Sequence, residues 1–359
     1  MKQLITRLTG WALPAICLFL AAPEVQAQSA SAEIIKAGKY NANQYFKAYF
    51  QPGGEAFGHS LNSGWFNSAK AMGLGRFDVR VYGSVGLTGR ENRTFDLSKA
   101  GFDPHLQVDG SHTMAPTVFG ADEAGPRLSV LDDNGNVITS FNAPEGSGVV
   151  LAPSPMAQVS VGLIKDTEVA VRFIPTVRVD DYEGNLWGVG LKHGLKQWVP
   201  GLRSIPGFDI AAVGGYTSFE TSARVNVRPD ADAAQTAQQQ QAGYYDNQQL
   251  QVNTKAWTAG LMVSKTVSVL TGYAGVRYSK ATTDVSLAGN YPITSIRRTG
   301  NSAEKYVEDL VDPVSTKTNH GQFGLNAGVR LKLAIFSLYG EYTVADYSTA
   351  SAGIGIGFN

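Results

Sequence analysis

Gln322-Phe323-Gly324-Leu325-Asn326-Ala327-Gly328-Val329-Arg330-Leu331-Lys332-Leu333 decides the fold. Successive strand side chains point to opposite faces. Gln322, Gly324, Asn326, Gly328, Arg330 and Lys332 therefore share one side, and Phe323, Leu325, Ala327, Val329, Leu331 and Leu333 share the other. A soluble strand usually runs about 5–6 residues, whereas this pattern persists for twice that, near the about 9–11 that carry a tilted strand across a bilayer. The same period returns at residues 336–344 and 352–359, so the sequence ends inside a strand with Phe358 on the apolar face.

Composition agrees with a barrel. Apolar residues are 43% of the 359, near the soluble average, as expected when only alternate residues meet lipid. Charged residues are 17%, and forty glycines, fifteen tyrosines and sixteen phenylalanines favour sheet over helix. A formal charge of zero gives no reason to expect a nucleic-acid partner. Nothing calls for a cofactor or a metal.

The first 27 residues read as a secretory signal. Lys2 and Arg7 precede a largely apolar run from Leu8 to Ala22, and Val25-Gln26-Ala27 offers small residues for cleavage, placing the cut near Ala27 after Sec-type export. Cleavage there removes Cys17, the single cysteine. Acylation of Cys17 is the rival reading, against which stands bulky Ile16; a membrane anchor is a third, weakened by Pro14. No later stretch approaches the about 18 apolar residues of a transmembrane helix. The expectation is the outer membrane of a Gram-negative cell, with outer-membrane lipid and the barrel assembly machinery as partners and a monomeric state.

Residues 28–74 form the N-terminal helix and hatch segment and 75–359 the barrel. Ile34, Gly38, Ala42, Tyr45 and Tyr49 fall at helical spacing, with an end expected at Gln51-Pro52-Gly53-Gly54. From there to Gly75 the chain is either a plug in the lower end of the barrel or a periplasmic strap. Strands are expected at 76–88, 157–164, 168–179, 186–193, 207–219, 250–264, 266–281, 321–333, 335–345 and 350–358, with further ones hidden in 90–150. The fold is an all-β, antiparallel transmembrane barrel of about 10–14 strands. Tight turns near Lys165-Asp166, Lys265-Thr266 and Ala334 fall on one side, and long loops at 220–249 and 282–320 fall on the other, as in outer-membrane barrels. Asp132-Asp133-Asn134-Gly135-Asn136 reads as an Asn-Gly turn rather than a calcium loop, because its glycine is out of place and no glutamate closes it. Leu195, Trp198, Val199, Leu202 and Ile205, with Lys196 and Arg203, suggest a piece lying in the lipid interface or else a plain turn.

Two motifs, Gly188-Val189-Gly190-Leu191-Lys192-His193-Gly194-Leu195-Lys196-Gln197-Trp198 and Leu61-Asn62-Ser63-Gly64-Trp65-Phe66-Asn67-Ser68-Ala69, resemble a family of uncharacterised outer-membrane barrels. In layout the chain is also similar to long-chain fatty acid outer-membrane transporters, with an N-terminal hatch followed by antiparallel strands to the last residue. The resemblance implies passive transport and carries over no catalytic or ligand residue. The glycine-rich opening of fatty-acid-type barrels is absent.

Parity assigns Arg76, Asp78, Arg80, Arg172, Arg178, Arg277, Arg330, Lys332 and Glu341 to the lumen, because a cation on the lipid face costs up to about 2–4 kcal/mol at mid-membrane. Their excess of cations is read either as structural ion pairing or as a constriction favouring anionic or amphipathic solutes. Trp187, Trp198, Trp257, Tyr342 and Phe358 are expected in the interface belts. The function expected is passive transport of small hydrophobic or amphipathic molecules and not enzymatic catalysis. The alternatives are an adhesive barrel displaying its loops and an outer-membrane hydrolase. Candidate bases for the latter are His59, His105, His112, His193 and His320, the last placed near Asp309 and Asp312. A secreted soluble β protein is the alternative fold.

Overall fold

The computed structural model describes residues 34–35, 37–132, 134–299 and 302–358. The signal-peptide reading of residues 1–27, with Lys2, Arg7, Cys17 and the cut near Ala27, lies outside the described residues, as does Asp133 of the 132–136 turn.

Ten strands form one closed antiparallel barrel in which every strand pairs with its neighbours in sequence. They are β1 (Phe77–Leu87), β2 (Leu151–Gly162), β3 (Thr167–Val179), β4 (Tyr182–Gly194), β5 (Phe208–Arg224), β6 (Gln249–Val267), β7 (Leu270–Ala288), β8 (Val314–Leu333), β9 (Phe336–Val344) and β10 (Thr349–Phe358). The ring closes where Phe77 of β1 pairs with Phe358 of β10. Tight turns mark the base of the barrel. At Lys165, Asp166, Ser268 and Ala334 the backbone takes positive φ, which matches the twist of two-stranded hairpins. The second of these turns lies past Val267, beyond the expected Lys265-Thr266, because β6 and β7 stay paired to Val267 and Leu270.

The outward face is apolar. Phe323, Leu325, Val329 and Leu333 are all more than half exposed. At about 3.4 Å per residue and the usual tilt, the run from Phe323 to Leu333 rises about 25 Å, the height of an outer-membrane apolar band. The inward face is mostly polar: β7 turns Thr271, Gly275, Ser279, Ala281 and Thr283 inward, with the larger Tyr273 and Arg277 among them.

Several boundaries differ from expectation. Residues 90–150 contribute no barrel strand. They fold over the mouth as short sheets, Thr94–Asp96 with Met114–Pro116, and Leu106–Val108 with Arg127–Leu131 and Val137–Asn142. Leu97, Leu106, Phe119, Leu128 and Phe141 pack with Tyr45, Phe46 and Tyr49 below them. That apolar lid is continuous, through α1, with Ile174, Leu186 and Phe219 of the wall. Residues 282–320 are largely strand: β7 and β8 run on beyond the apolar band, and between them Asn290–Thr299 pairs with Ser302–Val311. Of 220–249, residues up to Arg224 belong to β5. In the 132–136 turn, Gly135 has positive φ and the Asp132 carboxylate accepts from the backbone N–H groups of Asn134 and Asn136 at 2.9 and 2.8 Å.

Helix α1 (Gly38–Leu61) runs on through Pro52-Gly53-Gly54, past its expected end. Packing overrides the local breakers, because the small residues bring the helix against the wall. A Cβ on Gly58 would stand 2.4 Å from that of Ala281, and one on Gly54 would stand 3.0 Å from Thr283. The helix lies inside the barrel, and the chain then descends through the lower lumen. Asn43 accepts from the Ser315 N–H at the mouth (2.7 Å), Ser60 Oγ donates to Ser154 Oγ at mid-height (2.8 Å), and the Gly75 N–H reaches the Gly162 carbonyl at the base (3.0 Å). The plug fills the whole height of the lumen, beyond the lower end where it was expected.

Candidate functional site

The site is the contact between plug and wall. Leu61 ends α1 and leaves carbonyl oxygens without helical partners, at the end where the helix dipole is negative. Arg172 of β3, fully buried, meets them: Nη1 donates to Leu61 O at 2.6 Å and Nη2 to Ser63 O at 2.7 Å. Its guanidinium carbon also lies 3.4 Å above the Trp65 ring. A planar, multiply donating cation is suited to hold both carbonyls and an aromatic face together.

Trp65 fits a notch that the wall leaves by having no side chains there. Cβ atoms added at Gly190 and Gly215 would come within 2.6 and 2.3 Å of the indole. Below it, buried Lys192 pairs with Glu168 at 2.8 Å and donates to Ser68 O at 3.1 Å, while Glu168 accepts from the Met72 N–H at 3.2 Å. Two strands along the wall, in the register row of Arg172, Arg80 pairs with Asp78 at 2.8 Å and donates to Trp65 O at 3.0 Å. Arg277 pairs with Glu341 at 3.4 Å, and Glu341 accepts from Asn326 at 3.2 Å. A cavity of about 20 Å³ lies beside Trp65 and Arg277, room for about one water.

Asp78, Arg80, Arg172, Arg277, Arg330 and Glu341 thus line the lumen, with Lys332 near its base. Two expected lumen residues do not. Arg76 lies exposed at the base, one residue before β1 begins. Arg178 stands on the outside at the mouth, paired with Glu183 at 2.7 Å, because the register shifts between Ile174 and Val177 and breaks the parity. Glu168 and Lys192 were missed, although each shares the inward parity of a residue quoted above: Glu168 that of Arg172, and Lys192 that of Gly188 and Gly190.

On the outside, Trp187 packs on Tyr216 (5.4 Å), Trp257 on Tyr278 (5.5 Å) and Tyr278 on Phe323 (5.0 Å), an aromatic row at the upper edge of the apolar band. Phe358 meets Phe77 at the base (5.5 Å), and Tyr342 is exposed two residues below the end of β9. Trp198 is exposed at the base, its indole donating to His193 at 3.1 Å. The connection around it is two short 3₁₀ turns rather than one helix, because Pro200 and the positive φ of Gly201 divide it.

His320 meets neither Asp309, which accepts from Tyr244 and Tyr245, nor Asp312, which accepts from Gly289. It contacts His59 at 2.9 Å and Asp346 at 3.8 Å, and His59 contacts Ser279 at 3.1 Å. His59 and Ser279 are buried between plug and wall. Among the described residues no group of three His, Cys, Asp or Glu side chains is arranged to hold a metal.

The two motifs quoted for the family resemblance meet in this site, Trp65 against Gly190 and Ser68 against Lys192. A family model matches residues 1–358. The chain belongs to the DUF6588 family, a family of unknown function. No curated protein matches the sequence. Solved structures similar to this member of the family are outer-membrane proteins. Ail, the attachment invasion locus protein of Yersinia pestis, is 6% identical over 79% of this chain and 99% of its own, with a TM-score of 0.26. The outer-membrane protease OmpT of Escherichia coli is 9% identical over 79% and 97%, with a TM-score of 0.31. A mutant of the monoaromatic hydrocarbon channel TodX is 9% identical over 86% and 75%, with a TM-score of 0.26.

Proposed function

We propose that this protein is a plug-gated conduit of the outer membrane, exported, inserted by the barrel assembly machinery and working as a monomer, which passes small amphipathic or anionic solutes. The observation that carries the reading is how the lumen is filled. A barrel needed only as a scaffold can be packed by the wall's own side chains. Here the space is taken by a separate segment whose descending part is held by hydrogen bonds from the buried wall cations Arg172, Arg80 and Lys192 to its carbonyls. Such contacts give less net stability than an apolar core of the same size, so a segment held this way is easier to displace. Six inward cations, Arg80, Arg172, Lys192, Arg277, Arg330 and Lys332, against four carboxylates, Asp78, Glu168, Asp209 and Glu341, would give the opened path a positive wall.

The test is conductance in planar bilayers. Ser60→Cys with Ser154→Cys, at positions whose hydroxyls are 2.8 Å apart, should tie plug to wall. Openings should vanish on oxidation and return with reductant, and the open state should prefer anions. A barrel lacking residues 28–74 should conduct continuously. Equal opening in the oxidised and reduced pair, or silence in the folded truncated barrel, would refute the gate. An adhesive role is favoured by one feature, the hairpin Asn290–Val311 that extends past the mouth. Cell binding lost on its deletion, with conductance intact, would favour that role.

A further inference from the structure

The wall residues that grip the end of α1 form two neighbouring rows on the lumen face. Arg80, Gln158, Arg172, Gly188 and Thr217 share one register row across β1 to β5. In the row next to it on the mouth side, Tyr82 pairs with Met156, Ile174 with Leu186, and Leu186 with Phe219. One row is polar and the other apolar. Both are buried, and the end of α1 lies on them.

Arg172 differs from the other cations in what it holds. Arg80, Lys192 and Arg277 have carboxylates at 2.8, 2.8 and 3.4 Å. The acceptors of Arg172 are neutral oxygens: Leu61 O at 2.6 Å, Ser63 O at 2.7 Å, Gln158 Oε1 at 3.2 Å and Thr217 Oγ1 at 3.3 Å. Among the described residues no carboxylate is paired with it. The charges that act on it most, Arg80 and Arg277, are cations with carboxylates of their own. Burying a charge without its counter-charge is costly, and the cost falls once an anion is bound.

Leu61 and Ser63 hold this place in a particular way. Their oxygens sit on Nη1 and Nη2, the two terminal nitrogens with which a guanidinium takes both oxygens of one carboxylate. The Leu61 side chain, fully buried, packs in the apolar cluster of Ile174, Leu186 and Phe219, and the Phe57 ring stands edge-on to Phe219 at 4.9 Å. The plug thus presents two oxygens to the polar row and a branched chain and a ring to the apolar one. A small amphipathic carboxylate has the same two parts.

We propose that these two rows are the conduit's binding site for a small carboxylate with a ring or branched tail, and that the closed plug occupies it as an internal stand-in. Arg172 takes the two carboxylate oxygens. Gln158 Nε2, which in the closed state donates to Trp65 O at 3.0 Å, is a further donor. Met156, Ile174, Leu186 and Phe219 take the tail. Solute and plug compete for one place, so bound solute holds the plug away from the wall. The site rests on the conduit reading and deepens it, giving the solute its class and the gate its trigger.

The test measures binding to the full-length protein in non-ionic detergent by calorimetry, with phenylacetate as probe and phenylethanol as its uncharged counterpart. Ser60→Cys with Ser154→Cys fixes the plug when oxidised. Saturable phenylacetate binding is expected in the wild type and the reduced pair and none in the oxidised pair, with phenylethanol unbound throughout. Arg172→Lys should weaken binding about tenfold, because a point charge replaces the two-pronged donor. Leu61→Ala should strengthen it about tenfold, because it trims the plug's own apolar part. That gain keeps the comparison decisive if Arg172→Lys fails to fold. No saturable binding in the wild type, equal binding in the oxidised and reduced pair, equal binding of phenylethanol, or no gain in Leu61→Ala overturns the site. Phenylacetate should also raise the open probability of the wild type in planar bilayers. The expected binding pattern without gated conductance would refute the conduit and leave the site standing.

Discussion

Removing the Arg172 guanidinium deprives two buried carbonyls of their donors, and each unpaired buried group costs about 1–3 kcal/mol. Arg172→Met should therefore lower urea stability by about 3 kcal/mol and raise the bilayer leak, since the same contacts hold the end of α1. A stable, silent variant would separate Arg172 from the gate. Glu168→Gln should cost about 3–5 kcal/mol by leaving Lys192 buried without its counter-charge, whereas Glu168→Gln with Lys192→Met should recover most of it. Equal losses in the single and double variants would show that the pair is not coupled. At this scale the sequence is readable in part. Parity put Arg172 inside, but the acceptors of its hydrogen bonds are plug carbonyls more than a hundred residues away, and no local period encodes them.

For a strand, the side chain's surroundings depend on parity and height. Val329→Arg, on the lipid face within the apolar band, should destabilise by about 2–4 kcal/mol, while Asn319→Arg, two outward positions above Phe323, should cost about 0–1 kcal/mol. Equal effects in a lipid-vesicle unfolding titration would mean that hydrocarbon does not surround this face. Parity fails where pairing slips. The irregularity between Ile174 and Val177 turned Arg178 outward, and its one mark in the sequence is Pro175, which cannot donate to the ladder. The helix shows the opposite conflict: Pro52, Gly53 and Gly54 read as a stop, yet the fit of Gly54 and Gly58 against β7 carries α1 on to Leu61.

For the molecule as a whole, the plug runs from mouth to base, so its two ends should open to different compartments. Tyr40 and Leu74 are both exposed. With the mouth facing outward, a membrane-impermeant thiol reagent on intact cells should label Tyr40→Cys and spare Leu74→Cys until the outer membrane is breached; the reverse pattern would invert the orientation. What the sequence by itself determined is the barrel and its lipid-facing side. That chemistry is local: hydrocarbon excludes charge residue by residue, and the period of two is written directly into each strand. Only the tertiary structure decided that residues 90–150 cap the mouth, that the plug spans the full lumen, and that Glu168 and Lys192 join across neighbouring strands. Those outcomes depend on which surfaces meet when a sheet closes around a separate segment, and such contacts pair residues that no local spacing connects.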